Sequence, residues 1–375
     1  MVDTKIQNIN YLDFPTEIRL RGNQYLKAVD RVLKSANYML AREVSGFEDE
    51  FAKYLGVKYC IGVANGMEAI QISLMALGIK KGDEVITTPI SAVATTLAIL
   101  AVGATPVFAD INEFGQIDSN KIEKLINKKT KAILPVDLYG QPCDVIGIKK
   151  LCKKFNLFFI EDACQAHGAI YKSKKLGTYG DVGCFSFYPT KNLGTFGDAG
   201  AIVTDNKDIA EKFRQIRDYG QESKYVHVVA GMNSRLDEIH AAILRVKLKY
   251  LDRDNNIRRK FAKLYVKNLS EIKGLTVVLP NEFDDSNFHL FVIKSKKRDE
   301  LKRYLSNNGI PTLIHYPLTI PNQPVLKNLK LKFGKLPVSE KFVAEILSIP
   351  CHQFLTIREV EYISNKIKDF FAKNK

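Results

Sequence analysis

The sequence predicts an α/β protein whose largely parallel sheet is covered by helices. Two observations carry this. Short β-rich runs alternate with helix-patterned segments, and those runs are almost wholly apolar, as strands with helices on both faces are. A length of 375 residues exceeds a comfortable single core, so two domains are expected, a large one over 1–250 and a smaller α+β one over 251–375.

In chain order, KYCIGVA (58–64) reads as a strand followed by the helix MEAIQISLMALGI (67–79). DEVITTP (83–89) precedes the helical AVATTLAILAVG (92–103), TPVFADI (105–111) precedes DSNKIEKLINKK (118–129), and KAILPVDL (131–138) precedes DVIGIKKLCKKF (144–155). LFFIEDA (157–163) closes the series. VGCFSFY (182–188) and AGAIVTD (199–205) read as further strands flanking a glycine-bearing loop. Helical patterning dominates from 206 to 270, and after GLTVV (274–278) strands and helices mix.

Composition narrows the class. Hydrophobic residues at 46% and charged ones at 26% are ordinary globular values, and no apolar run approaches the roughly 18 residues of a membrane span. The opening MVDTKIQNINYLDF has early acids and no apolar segment before a small-residue site, so it does not read as a signal peptide and a cytoplasmic address is expected. Cysteines 60, 143, 152, 164, 184 and 351 are scattered without C-x-x-C pairs, which argues against zinc and disulfides and for reduced, mostly buried thiols. A formal charge of +15 suits nucleic acid, an anionic surface or a phosphorylated substrate, but the basic residues are dispersed and mixed with acids, as in KSKKRDELKR (294–303), and no nucleic-acid motif accompanies them. No nucleic-acid or membrane partner is therefore expected.

In an open parallel sheet, ligands sit beyond the carboxyl ends of the strands. Three loops there stand out. In VANGMEAI, Asn65 and Gly66 turn directly into a helix whose first amides could hold a phosphate, or simply cap a turn. In LFFIEDACQAHGA, a buried strand delivers Glu161 and Asp162, with Gln165 and His167 just beyond; Asp162 reads equally as a ligand-facing acid or a helix cap. In FSFYPTKNLGTFGDAGAIV (185–203), Ser186 precedes Lys191, and Gly194, Gly197 and Gly200 follow it, as if backbone must approach a bulky ligand. Pyridoxal phosphate (PLP) unites the three: Gly66 and Ser186 at its phosphate, Asp162 at its ring nitrogen, Lys191 at its aldehyde carbon.

Ordered motifs across nearly the whole chain, NGMEAI, GATPVFADI, LPVDLYGQPCD, IEDACQAHGA, SFYPTKNLGTFGDAGAIVT, RDYG, GMNSRLDEIHAAIL, IHYP and ILSIP, resemble the DegT/DnrJ/EryC1/StrS sugar aminotransferases. The resemblance implies the aspartate-aminotransferase-like fold, fold type I: a large αβα domain, a small C-terminal domain and a homodimer with shared active sites. It implies Lys191 as the lysine linked to PLP, Asp162 as the partner of the ring nitrogen and Gln165 near the ring hydroxyl. Ser186 and the amides of Gly66 and Met67 match the phosphate cup, and Asn233 matches an asparagine reaching the phosphate of the other subunit. Tyr188, Tyr225, His315 and Tyr316 fall in motifs bordering the sugar pocket.

The family also holds dehydratases with histidine in place of the lysine; here Lys191 stands, so transamination is expected. The form K-N-L-G-x-x-G-D-A-G looks like enzymes that transfer nitrogen from glutamate to C3 of a dTDP-linked 3-keto-6-deoxyhexose, whereas C4 enzymes more often carry G-E-G-G. A C4 enzyme on a UDP-, GDP- or dTDP-4-keto sugar is the alternative, and a non-catalytic PLP-binding regulator is disfavoured by intact Lys191, Asp162 and Ser186. Some positions depart from the pattern. Met67 replaces a common threonine, TTPISAVATT lacks the aromatic that stacks on the ring and leaves Ala92 or Val93 to cover it, Pro321 stands where a second histidine is common, and His240 replaces a glutamine.

Overall fold

A computed structural model describes residues 9–280, 282–329, 331 and 333–373. The first eight residues, part of the opening stretch read against a leader, lie outside them.

Two amphipathic helices begin the chain, α1 (Phe14–Ser35) and α2 (Arg42–Leu55). Asp13 caps α1 by accepting from the Thr16 amide at 3.1 Å, and Gly56 closes α2 in the left-handed region. The alternation read from the sequence then appears: β1 (Tyr59–Val63), α3 (Gly66–Ala76), β2 (Glu84–Thr87), α4 (Val93–Ala101), β3 (Thr105–Phe108), α5 (Ser119–Ile122), β4 (Thr130–Leu134), α6 (Val145–Phe155) and β5 (Phe158–Asp162). A two-strand hairpin, β6 (Ile170–Tyr171) and β7 (Lys174–Lys175), leads to β8 (Val182–Ser186) and β9 (Gly200–Thr204). Seven strands form one sheet in the order β1-β9-β8-β5-β4-β2-β3. Only β9 runs against its neighbours, paired antiparallel with both β1 and β8. The α/β architecture expected from the apolar runs is present.

The helix expected over 118–129 is much shorter. α5 is followed by a single 3-10 turn, Glu123–Leu125, because Asn127 leaves the helical path to bond Thr130 and Glu84. The helical stretch expected over 206–270 is also divided. α7 (Lys207–Arg217) gives way to a hairpin, β10 (Gln221–Ser223) and β11 (Val226–His227), before α8 (Glu238–Leu248) and α9 (Leu251–Leu269). Gly220 at φ +76 makes that break, and a Cβ there would overlap the Val229 carbonyl.

A second sheet joins β12 (Thr276–Val278), β13 (Phe291–Lys294) and β14 (Ile346–Ile349), all antiparallel, with β13 central. The helices α10 (Arg298–Asn307), α11 (Pro324–Asn328), α12 (Pro337–Glu345) and α13 (Ile357–Lys373) complete the chain. α9 spans two cores: Leu251 packs with the main sheet, whereas Phe261, Tyr265 and Leu269 pack with β13, β14 and α13. Ile9 joins this second core from the other end of the sequence.

An aromatic cluster supports the loop end of β8. The Phe51 ring of α2 meets Phe185 at 5.1 Å and Phe187 at 5.4 Å edge-on and stacks on Phe47 at 5.5 Å, all fully buried. Phe51→Ala should cost about 3–5 kcal/mol, read as a lowered urea midpoint; an unchanged midpoint would show that the cluster bears no weight.

Candidate active site

A cavity of about 700 Å³ opens beyond the carboxyl ends of β1 and β8 and reaches the second sheet. Its floor begins at α3. Asn65 caps that helix, its side chain accepting from the Glu68 amide at 2.9 Å, so the first amides, including those of Gly66 and Met67, lack intrahelical acceptors. Position 66 admits only glycine, because a Cβ would stand 2.5 Å from Ser186 Cβ and 3.0 Å from Cys164 Sγ. The turn after β1 thus touches the strand that leads to Lys191.

β5 supplies the acid. Strand alternation turns Glu161 and Asp162 to opposite faces. Glu161 accepts from the amides of Gly177 at 3.0 Å and Gly180 at 2.7 Å, and so holds the segment before β8 rather than the cavity. Asp162, 3% exposed, accepts from Thr95 Oγ1 at 2.7 Å on one oxygen and from the Cys164 amide at 3.2 Å on the other. Gln165 is clasped between the Tyr139 amide, which donates to its Oε1 at 2.7 Å, and the Tyr316 hydroxyl, which accepts from its Nε2 at 3.4 Å.

The loop between β8 and β9 carries Lys191. Its amide donates to the Tyr188 carbonyl at 2.9 Å, and Gly194 lies so close beneath that a Cβ would stand 2.5 Å from the same oxygen. The three glycines serve the loop's own packing: Gly194 against Tyr188, Gly197 against the His240 ring and Gly200 against the Asn65 carbonyl, none with positive φ. That differs from the expected ligand approach. His240 also meets Thr195 Oγ1 at 3.0 Å, a structural contact. Burial holds the Lys191 amine below the ordinary lysine range, opposed by Cys164 and Asp162.

The opposite wall comes from the second sheet and its loops: His289, Leu290, Leu313, His315, Tyr316 and Ile349. His315 Nδ1 lies 3.0 Å from Ser348 Oγ, and burial, aided by Lys191, pushes its imidazole down to about 4. Burial and then Asp162 push the Tyr316 hydroxyl up to about 12. Both side chains are neutral at pH 7.

Gly66, Met67, Ser186, Tyr188, Lys191, His315 and Tyr316 line this cavity together, and Asp162 and Gln165 line its inner recess with Gly66 and Lys191. Ala92 and Ala94 face the space where an aromatic was missed; Val93 does not. Asn233 is exposed and bridged to Asp218, and Tyr225, 80% exposed, lies between β10 and β11, so neither lines the cavity of its own chain. Thr95, His289, Tyr11 and Asp198 were not expected. Thr95 follows β2 at the start of a helix and was legible as a hydroxyl near a ligand crevice, Asp198 lies in the Lys191 loop itself, and His289 and Tyr11 are brought in by long-range packing. Among the described residues, no group of side chains suits a metal ion, and no helix is long and apolar enough to cross a membrane. All six cysteines are free, five of them buried.

The cavity fits PLP in its donor set: a Cβ-free turn with open amides beside Ser186, a carboxylate held by Thr95, and a desolvated lysine. The profile of the DegT/DnrJ/EryC1/StrS aminotransferase family matches residues 20–368. The chain belongs to this family. It is 44% identical over 367 residues to dTDP-3-amino-3,6-dideoxy-alpha-D-galactopyranose transaminase of Aneurinibacillus thermoaerophilus, covering 96% of this chain and 99% of that protein. The structure of S. venezuelae DesV in complex with a ketimine intermediate matches with a TM-score of 0.95 at 38% identity, covering 97% of this chain and 99% of the other. NtdA from Bacillus subtilis, solved with the bound cofactor PMP, matches with a TM-score of 0.92 at 32% identity, over 99% of this chain and 87% of that one. The protein is a PLP-dependent aminotransferase of the α/β fold expected from its sequence.

In the cofactor-free aminotransferase, ¹³C-dimethylated Lys191 should titrate at a midpoint below the surface lysines, because burial favours the neutral amine. Asp162→Asn removes a charge that opposes the shift, so the midpoint should fall further; a midpoint among the surface lysines would mean that Lys191 is solvated.

Proposed function

We propose that this aminotransferase moves an amino group from glutamate to C3 of a dTDP-linked 3-keto-6-deoxyhexose. The observation that carries the reading is one cavity holding a desolvated Lys191 and the Thr95-held Asp162, in a chain with a full-length, 44% identical relative named as a 3-amino sugar transaminase. The loop sequence K-N-L-G-T-F-G-D-A-G supports C3 over C4.

Bound PLP supplies an electrophilic aldehyde carbon and a ring that stores an electron pair. Lys191 Nζ, its proton affinity lowered by burial, would be the amine that joins that carbon, the aldehyde oxygen leaving as water. With an amino donor in its place on bound PLP, the same nitrogen would be free to take the proton from the donor α-carbon and return it one carbon away. Asp162 would face the ring nitrogen, with Thr95 and the Cys164 amide fixing the carboxylate plane. Gly66, Met67 and Ser186 hold the phosphate, and Gln165 stands near the ring hydroxyl. Tyr188, His315 and Tyr316 face the sugar side. The amino sugar leaves by the reverse sequence of proton movements.

The reading includes a homodimer in the cytoplasm, with residues 1–250 holding the cofactor and 251–375 closing over the sugar. Its support is an apolar surface on one chain: Leu20 at 62% and Leu26 at 69% exposure on α1, and Val226 and Val228 at the β11 hairpin. Asn233 and Tyr225, outside the cavity of their own chain, are then free to serve the partner's.

With PLP bound, glutamate should bleach the visible cofactor band, and dTDP-3-amino-3,6-dideoxyhexose should do so where its 4-amino isomer does not. Bleaching by the 4-amino isomer alone would move the reaction to C4. Lys191→Ala should abolish bleaching, by at least about a thousandfold, and Asp162→Asn should slow it by about a hundredfold while PLP still binds. In sugar-nucleotide titrations, Tyr225→Phe and His315→Ala should each weaken binding; wild-type affinity in both removes them from the sugar site.

A further inference from the structure

Two buried asparagines, Asn255 and Asn287, fasten the half-buried Asn192, Lys191's neighbour, to the opposite wall. Asn192 Nδ2 donates to the Asn287 carbonyl at 3.0 Å and to Asn255 Oδ1 at 2.8 Å. Asn255 Nδ2 donates to the His167 carbonyl at 2.8 Å, and Asn287 Nδ2 donates to the carbonyls of Gln165 at 3.0 Å and His167 at 3.1 Å. Backbone carbonyls only accept, so each amide nitrogen is identified by the carbonyl it faces. Asn192 therefore turns its oxygen outward, and that oxygen lies 3.2 Å from His289 Nδ1.

The consequence for His289 follows from proton inventory. An amide oxygen cannot donate, so Nδ1 carries the hydrogen. Burial pushes the imidazole well below its ordinary range, with Lys191, Arg258, His315 and His167 all adding to the effect, so the ring holds one proton and Nε2 is bare. Arg258 adds rigidity from behind, donating to the carbonyls of Phe288 at 3.4 Å and Cys351 at 2.7 Å. The Asn287 side chain also accepts from the His289 amide at 2.9 Å, fixing the backbone of the same residue. His289 lines the cavity, between Lys191 and the second sheet, and Nε2 has no partner among the described residues. An acceptor held this firmly and open to the cavity is placed to take a hydrogen bond from a donor that enters it and displaces water. Its wall neighbours Leu290, Leu313 and Ile349 offer none, while His315 meets Ser348 and Tyr316 meets Gln165.

We propose that His289 Nε2 accepts a hydrogen bond from a hydroxyl group of the keto-sugar substrate, with Asn192 fixing the tautomer that makes it an acceptor. The inference rests on the sugar aminotransferase reading above. It makes His289 a residue that selects for a hydroxylated ring, because an acceptor locked against donating leaves a deoxygenated ring with nothing to offer it.

Both amines act on the same PLP-loaded protein, so one assay compares them. Bleaching of the cofactor band by glutamate and by dTDP-3-amino-3,6-dideoxygalactose is measured for wild type, His289→Phe and His289→Gln. His289→Phe should lose about tenfold or more with the amino sugar relative to its own rate with glutamate. His289→Gln, which restores an acceptor oxygen, should recover part of that loss. Equal losses with both amines would mean that Nε2 serves Lys191 instead and would overturn the proposal, as would no loss with either, which would mean that water satisfies the nitrogen. A wild-type protein bleached by glutamate but by no amino-sugar nucleotide overturns the sugar reading, and the proposal with it. Should His289→Phe fail to fold, Asn192→Leu frees the tautomer without touching the ring, and the same imbalance between the two amines is expected.

Discussion

The site depends on one reversed strand. β9 enters the sheet antiparallel between β1 and β8, so the thirteen-residue excursion that carries Lys191 leaves and returns at the same edge. Gly200, where it returns, packs against the Asn65 carbonyl, and Ser186, where it leaves, packs against Gly66. The phosphate turn and the lysine loop are thereby a single packed unit. With β5 paired beside β8, Asp162 stands across from Cys184 on the neighbouring strand, a spacing that the parallel ladder sets. A parallel β9 would need a crossover and could not bring the loop back so soon.

Desolvation then does the chemical tuning. Burial lowers the proton affinity of Lys191, His289 and His315, the last to about 4, so the two cavity imidazoles are neutral bases at pH 7 and the lysine gives up its proton more readily than a surface lysine. The recess carboxylate, Asp162, is fixed by hydrogen bonds from Thr95 and the Cys164 amide. Bases of lowered proton affinity beside a fixed carboxylate suit a reaction that moves protons between carbon and nitrogen.

Much of this was legible in the residues. The apolar runs reveal the parallel sheet, and the lysine, the acid and the Asn-Gly turn, each at a strand's carboxyl end, point to one ligand by their chemistry alone. The misreadings share a cause. The glycines near Lys191 were read as making room for a ligand, yet their neighbours are Tyr188, His240 and Asn65, distant or folded-back parts of the chain that no local pattern reveals. The segment 118–129 kept a helical pattern that Asn127, bonded to Glu84 on another strand, interrupts.

By itself the sequence determined the alternating elements, the strand ends that carry Gly66, Asp162 and Lys191, and the chemistry those residue types can perform, because each follows from local periodicity and side-chain functional groups. Only the tertiary structure decided that Glu161 faces away while Asp162 faces in, that Thr95 secures the acid, and that Asn192 dictates which nitrogen of His289 is bare. Those outcomes depend on burial and on hydrogen bonds between residues far apart in the chain, 67 positions for Thr95 and Asp162 and 97 for Asn192 and His289, and separations of that size leave no trace in any local pattern.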